Sequence, residues 1–163
     1  MSYVVELDAF RLPDGPVETL RFSSGRGFTT RPDDVPANGY IIPRLTQPLI
    51  ARRDLFERTT TYGPVGGGAG EIRLANPDGF LDVLLTGYAI NGRAVRVWVG
   101  LETRPFPSRW TLAMTGRAEL ARANGNEVVI SLKDALAALD KPLLPGKYLG
   151  DNALPDGFEG VEQ

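Results

Sequence analysis

Gly70 to Gly100 reads GEIRLANPDGFLDVLLTGYAINGRAVRVWVG, and this stretch decides the fold. Ile72 and Leu74 alternate with Glu71, Arg73 and Ala75, the period of a half-buried strand. Asn76-Pro77-Asp78-Gly79 then breaks the ladder, because proline has no N–H to donate and glycine admits turn dihedrals. Phe80, Leu81, Leu84 and Leu85 recur at helical spacing, predicting a turn or two of helix with one buried face. Asn91-Gly92 is a strong turn signal, and beyond it Val95, Val97, Val99 and Leu101 share one face while Arg96 and Trp98 take the other. The pattern predicts a sheet with one dry side and one mixed side.

Working outward, Tyr3 to Phe10 and Val17 to Phe22 alternate on either side of Pro13-Asp14-Gly15-Pro16, which predicts an antiparallel hairpin. Ser23 to Asn38 has no periodicity and several breakers. Two readings fit it: a projecting arm in which Arg26, Phe28 and Arg31 form an aromatic anchor flanked by cations, or a surface loop whose Phe28 folds back onto the core. Tyr40 to Ile42 begins a strand that Pro43 and Pro48 confine to a sheet edge or a crossing between sheets. Leu49 to Tyr62 reads as a strand with a bulge, its Arg52, Arg53 and Arg58 either facing a partner or forming a solvated face. Trp110 to Leu132 is a long hairpin about Asn124-Gly125, with Gly116 marking a bulge or bend. Ser131 three residues before Asp134, followed by Leu136 and Leu139, predicts a short amphipathic helix over 132–140, ended by Pro142 and Pro145.

The 163 residues suit one β-rich domain over 1–145, with a polar, glycine-rich extension over 146–163. With 19 glycines and 13 prolines, short strands and tight turns are favoured, and the apolar content is too high for disorder. The fold class that follows is mainly β: an antiparallel sandwich or partly closed barrel with one or two short helices. A net charge of -2 offers no basic footprint for duplex DNA, so sequence-specific nucleic-acid binding is not expected. The alternating start MSYVVELDAF lacks a basic flank and an apolar block, and no run approaches the ~20 residues of a membrane span, so a soluble product outside the secretory route is expected.

Cysteine and histidine are both absent, which removes thiolate nucleophiles, imidazole bases and the usual zinc ligands. Neither an enzyme nor a resident cofactor is expected. Asp78 and Asp82 are the nearest carboxylate pair, but their spacing in sequence does not establish a cleft. Asn76, Asp78 and Asp82 lack the ligand series of a calcium loop and read as turn residues bonding their own backbone. The glycine-rich run Gly63 to Gly70 has no Gly-Lys-Ser/Thr and precedes a strand rather than a helix, so it reads as a connector and not a phosphate cradle.

The runs GEIRLANPDGFLD and NGRAVRVWVG resemble the N-terminal region of hub-like or tail-tip proteins in the tails and baseplates of long-tailed bacteriophages, and the resemblance extends through Phe22–Leu45 and Thr115–Tyr148. It implies a domain related to the tail-tube fold, assembled as a threefold or sixfold ring at the distal tail or baseplate hub and joining tube to tip. DNA or a central fibre would pass through the lumen, the partners would be further copies and neighbouring tail proteins, and the product would be built in the host cytoplasm and reside in the virion. It also implies that related chains continue into further domains after the last strands. On this reading Arg26, Phe28, Arg31, Arg52 and Arg53 are the expected assembly contacts. The rival expectation is a monomeric carbohydrate-binding β-sandwich in which Trp98, Trp110 or Tyr88 stacks on a sugar.

Overall fold

A computed structural model describes residues 1–52 and 69–134. The elements in chain order are β1 (Ser2–Arg11), β2 (Val17–Ser23), β3 (Phe28–Thr29), β4 (Tyr40–Ile41), β5 (Leu45–Arg52), β6 (Ala69–Ala75), α1 (Asp82–Thr86), β7 (Tyr88–Ala89), β8 (Ala94–Gly100), β9 (Thr111–Asn124) and β10 (Glu127–Asp134). The described residues are mainly β and antiparallel, with one short helix among them, as the alternating runs and turn signals predict.

One eight-stranded sheet carries the core, in the order β2-β1-β8-β9-β10-β6-β5, with β7 also pairing β1. The residues of its main cluster lie on one face: Val5, Leu7 and Ala9 from β1, Ile72 and Leu74 from β6, Val95 and Val97 from β8, Val128, Ile130 and Leu132 from β10. A sheet with a single dry face must find cover for it, and here the sheet curls so that the face closes on itself. Leu81 and Leu84 of the α1 segment and Ile90 after it complete the buried cluster. The curl stops short of a closed barrel. A single bridge draws β2 toward the strand that leads into β5: Ser23 N donates to Ile42 O at 2.8 Å and Ile42 N donates to Arg21 O at 3.3 Å.

The hairpins form where turn chemistry requires them. β1 and β2 pair from Val4↔Ser23 to Phe10↔Val17, and β9 and β10 from Glu127↔Asn124 to Asp134↔Gly116. The expected bulge at Gly116 lies elsewhere. The register slips between Ser131 and Leu132, whose partners are Leu120 and Ala118, so Glu119 is the extra residue. A second slip, between Val97↔Met114 and Trp98↔Leu112, leaves Ala113 unpaired and turns Leu112 outward. β5 slips against β6 on both sides of Gln47, beside Pro48, which has no N–H for the ladder.

The predicted helix over 132–140 is corrected at its start. Ser131 and Leu132 are strand residues of β10, paired with Glu71 and Gly70 of β6, and Leu132 is buried in the core. The apolar spacing that suggested helix is shared with a strand whose inward residues are Val128, Ile130 and Leu132. Positions 135–140 lie outside the described residues, as do the predicted connector at 63–68 and the extension at 146–163.

The outer, mixed face of β2-β1-β8 is also covered. Glu6, buried, accepts hydrogen bonds from Arg21 Nε at 2.8 Å, Arg96 Nε at 3.0 Å and Trp98 Nε1 at 3.0 Å. Asp8 beside it accepts from Arg96 Nη2 and Thr19 Oγ1, each at 2.9 Å. Burial raises the Asp8 pKa, but the bonds from Arg96 and Thr19 outweigh it and hold the carboxyl below its ordinary range. Next to this network Val4, Ile41, Phe106 and Trp110 form a second buried cluster, with Phe28 and Trp98 packed against it.

The expectation of a projecting arm is therefore corrected: residues 24–42 form a strap folded onto the outer face. Phe28 stacks on Trp110 at 5.6 Å between ring centroids and 15° between planes, and meets Phe106 edge-on at 6.5 Å. β3 pairs with β4, and Val35 N donates to Phe106 O. A Cβ on Gly100 would run into the Trp110 indole, so the sheet is bare at this point to let the ring lie flat. Because Phe28 is half-buried, Phe28→Ala is expected to cost about 2 kcal/mol, below the range for a fully buried phenylalanine. Urea unfolding followed by tryptophan fluorescence checks this, with a lowered midpoint expected at unchanged slope.

Candidate assembly surface

Among the described residues the β2 edge, an open stretch of β9 and an apolar hollow distinguish the surface, while β5 ends the sheet on its other side. β2 ends the sheet. Arg11 N donates to Pro16 O and Ser24 N to Tyr3 O, while Ser23 and Arg21 bond Ile42 on the opposite side. By strand alternation, Val17, Thr19 and Arg21 turn their peptide groups away from β1. Among the described residues no backbone group pairs with Val17 or Thr19 on that outward side. The Thr19 carbonyl is approached only by Arg21 Nη1, at 3.3 Å. An exposed edge of this kind templates pairing with another strand.

Alongside the edge lies a hollow of about 150 Å³ lined by Leu20, Phe22, Ile42, Phe80, Val83 and Tyr88. The segment 76–86 positions it. Leu81 and Leu84 point into the core, which leaves Phe80 and Val83, likewise three residues apart, on the other side of α1 at 53% and 56% exposure. Asn76, buried, fixes the turn before the helix: its Oδ1 accepts from Leu81 N at 2.7 Å and its Nδ2 donates to Asp82 Oδ1 at 2.8 Å. Arg44 then clasps Asp78 with both guanidinium arms, at 2.7 and 2.6 Å, and sits 5.1 Å from the Phe80 ring centroid. The three polar side chains weighed as a calcium site are thus spent on the turn itself. Among the described residues no group of three or more acidic side chains is placed to hold a metal.

β9 offers the second edge. It pairs β8 only as far as Ala94↔Arg117, with Ala118 bonding Gly92 and Arg93 just beyond. Past the bulge, Ala121 and Ala123 turn their peptide groups away from β10, and among the described residues no backbone group pairs with them there. Leu120 is 56% exposed on this stretch.

The residues expected to form the contact are not gathered at one place. Arg26 and Arg31 are exposed on the strap, where Arg31 donates to the Thr103 carbonyl, and Phe28 lies in the outer aromatic cluster. Arg52 is the last residue of β5, paired with Ala69, and Arg53 lies outside the described residues. Leu20, Phe80, Val83 and Leu120 were missed. The available signal was the double i, i+3 pattern of Phe80/Val83 and Leu81/Leu84 across the turn into a helix of five residues, a segment too short to bury both pairs. Of the aromatic residues weighed for sugar stacking, Trp110 is 7% exposed between Phe28 and Phe106, Trp98 bonds Glu6 through its indole N–H, and Tyr88 donates from Oη to Glu18 at 2.9 Å while its ring lines the hollow.

No family model matches the sequence, and no curated protein matches it. The fold is similar to that of a chain in the virion of a native gene transfer agent (GTA) particle, with a TM-score of 0.54 and 17% identity. The match covers 86% of this chain and 42% of that one, so this chain spans less than half the length of its structural relative. The likeness shows a shared fold with a virion component. Among the described residues no helix is long and apolar enough to cross a membrane.

The Arg44 clasp holds the Asp78 carboxyl down to about 2, from an ordinary 3.8. A carboxylate with a lowered folded pKa stabilises the fold above its unfolded pKa and loses that contribution as pH falls through the folded value. Asp78→Asn should therefore lower Tm modestly at neutral pH, with the gap to the natural chain narrowing between pH ~4 and ~2. Thermal melts across that range provide the check.

Proposed function

We propose that this chain is a non-catalytic structural component of a phage-type tail, forming part of a ring at the distal tail or baseplate hub that connects the tail tube to the tip. The observation that carries the proposal is the fold shared with a virion chain over 86% of this sequence. The sequence resemblance to hub and tail-tip proteins points the same way. The chemistry of the described surface suits assembly: the acidic groups Glu6 and Asp8 are neutralised within the sheet by Arg21 and Arg96, and open strand edges lie beside exposed apolar side chains.

In this role the partners are further copies of the chain in a threefold or sixfold ring and the neighbouring tube and baseplate proteins. The protein needs no cofactor, resides in the virion tail and lets DNA or a fibre pass without reading its sequence. The mild net charge of -2 is compatible with such passage. The test is the oligomeric state of the purified chain, by native mass spectrometry and negative-stain imaging. A closed ring of three or six copies is expected. A strict monomer at concentrations of tens of micromolar, with no incorporation into particles, would contradict the proposal.

A further inference from the structure

We propose that the two open edges are the two halves of one contact, with the β2 edge of one copy pairing antiparallel to the Glu119–Asn124 edge of β9 in the next. This rests on the ring reading above and names the surface that closes the ring. A contact between different patches on the two copies is heterologous, and repetition of it generates a ring when the rotation closes.

Backbone parity restricts the register. Val17 and Thr19 face outward on β2, and Ala121 and Ala123 face outward on β9, so these must lie opposite one another for their peptide groups to bond. Setting Thr19 opposite Ala121 and Val17 opposite Ala123 puts Leu20 against Leu120 and Glu18 against Arg122, and the pairing stops short of Arg21, whose outward side Ile42 occupies. One opposite-charge pair and one apolar pair then meet across the join, the combination that stabilises neighbouring strands. Reversed charge at these positions would oppose it.

The faces agree as well. Leu20 lies on the concave side of its own sheet, lining the hollow with Phe80 and Val83. Leu120 lies on the convex side of its sheet, opposite Ser131. Curvature reverses where one curled sheet runs into a second, so the concave side of one copy continues as the convex side of the next. Leu120 of the incoming strand thereby arrives over the hollow, where an apolar side chain covers Phe80 and Val83, both more than half exposed in the single chain. The join is β-augmentation with one apolar anchor.

The experiment is charge exchange in the full chain, read by analytical ultracentrifugation. Glu18→Arg and Arg122→Glu should each weaken association at least about tenfold, since like charges then face each other, and the double variant should restore it. Near-UV circular dichroism verifies that each variant is folded. As a second arm, Glu18→Cys/Arg122→Cys is made in this cysteine-free chain. The pair is of the non-hydrogen-bonded type, with Cα atoms ~4.5 Å apart, within disulfide reach. Within one copy two intervening strands keep the positions roughly 14 Å apart. Oxidation should give an interchain ladder ending at the size of the ring. A ring that forms without the ladder, or single variants that associate normally, would overturn this pairing while leaving the ring reading intact; a natural chain that stays monomeric would overturn both.

Discussion

The dry face of the sheet has nothing to bury itself against except itself, and the rest of the molecule follows from that constraint. Val5, Leu7, Ile72, Leu74, Val95, Val97, Val128 and Ile130 project from neighbouring strands into one cluster. At ~25 cal/mol per Å² of apolar surface removed from water, curling the sheet around them is the dominant stabilising term. Closing the last gap with a full strand would have paired the β2 edge along its length. Instead Ile42 makes one bridge to β2 and the chain turns away, so the gap is stopped by the α1 segment and part of the β2 edge stays open.

The outer face meets a different requirement. Glu6 is buried on this face with Asp8 half-buried beside it, and a buried carboxylate is tolerable only with its charge answered. Arg96 answers both, Arg21 answers Glu6, and the Trp98 indole N–H takes the remaining position on Glu6. The strap then lays Phe28 on Trp110, and Gly100 makes room beneath. Polar and aromatic residues read as surface in a single strand thus become a second core. As a result the strap aromatics are engaged, while the open β2 and β9 edges and the Phe80/Val83 hollow stay uncovered in the single chain.

Much of the fold was legible because its determinants are local. The Asn91-Gly92 and Asn124-Gly125 turns, the alternation of Glu127 to Leu132 and the Asn76–Gly79 break each act within a few residues, and all appear in place. The misreading at Ser131 has a physical reason: Leu132 belongs to both an i, i+4 and an i, i+2 series, and the pairing with β6 that decides between them is long-range. Phe28 likewise could not be placed from its neighbours, since Trp110 and Phe106 are far away in sequence. The candidate surface was the least legible part. An open edge is a property of strand order, and neither Thr19 nor Ala121 differs locally from a residue paired on both sides.

The curled sheet is held at Ile42 and open next to it. Amide hydrogen exchange of the isolated chain, resolved by residue with NMR, addresses it most directly. The account predicts slow exchange at Ser23 and Ile42, whose N–H groups make the bridge, and fast exchange at Thr19 and Ala121, with protection of the latter two only in the assembled oligomer. Fast exchange at Ile42, or protection of Thr19 in the isolated chain, would contradict it.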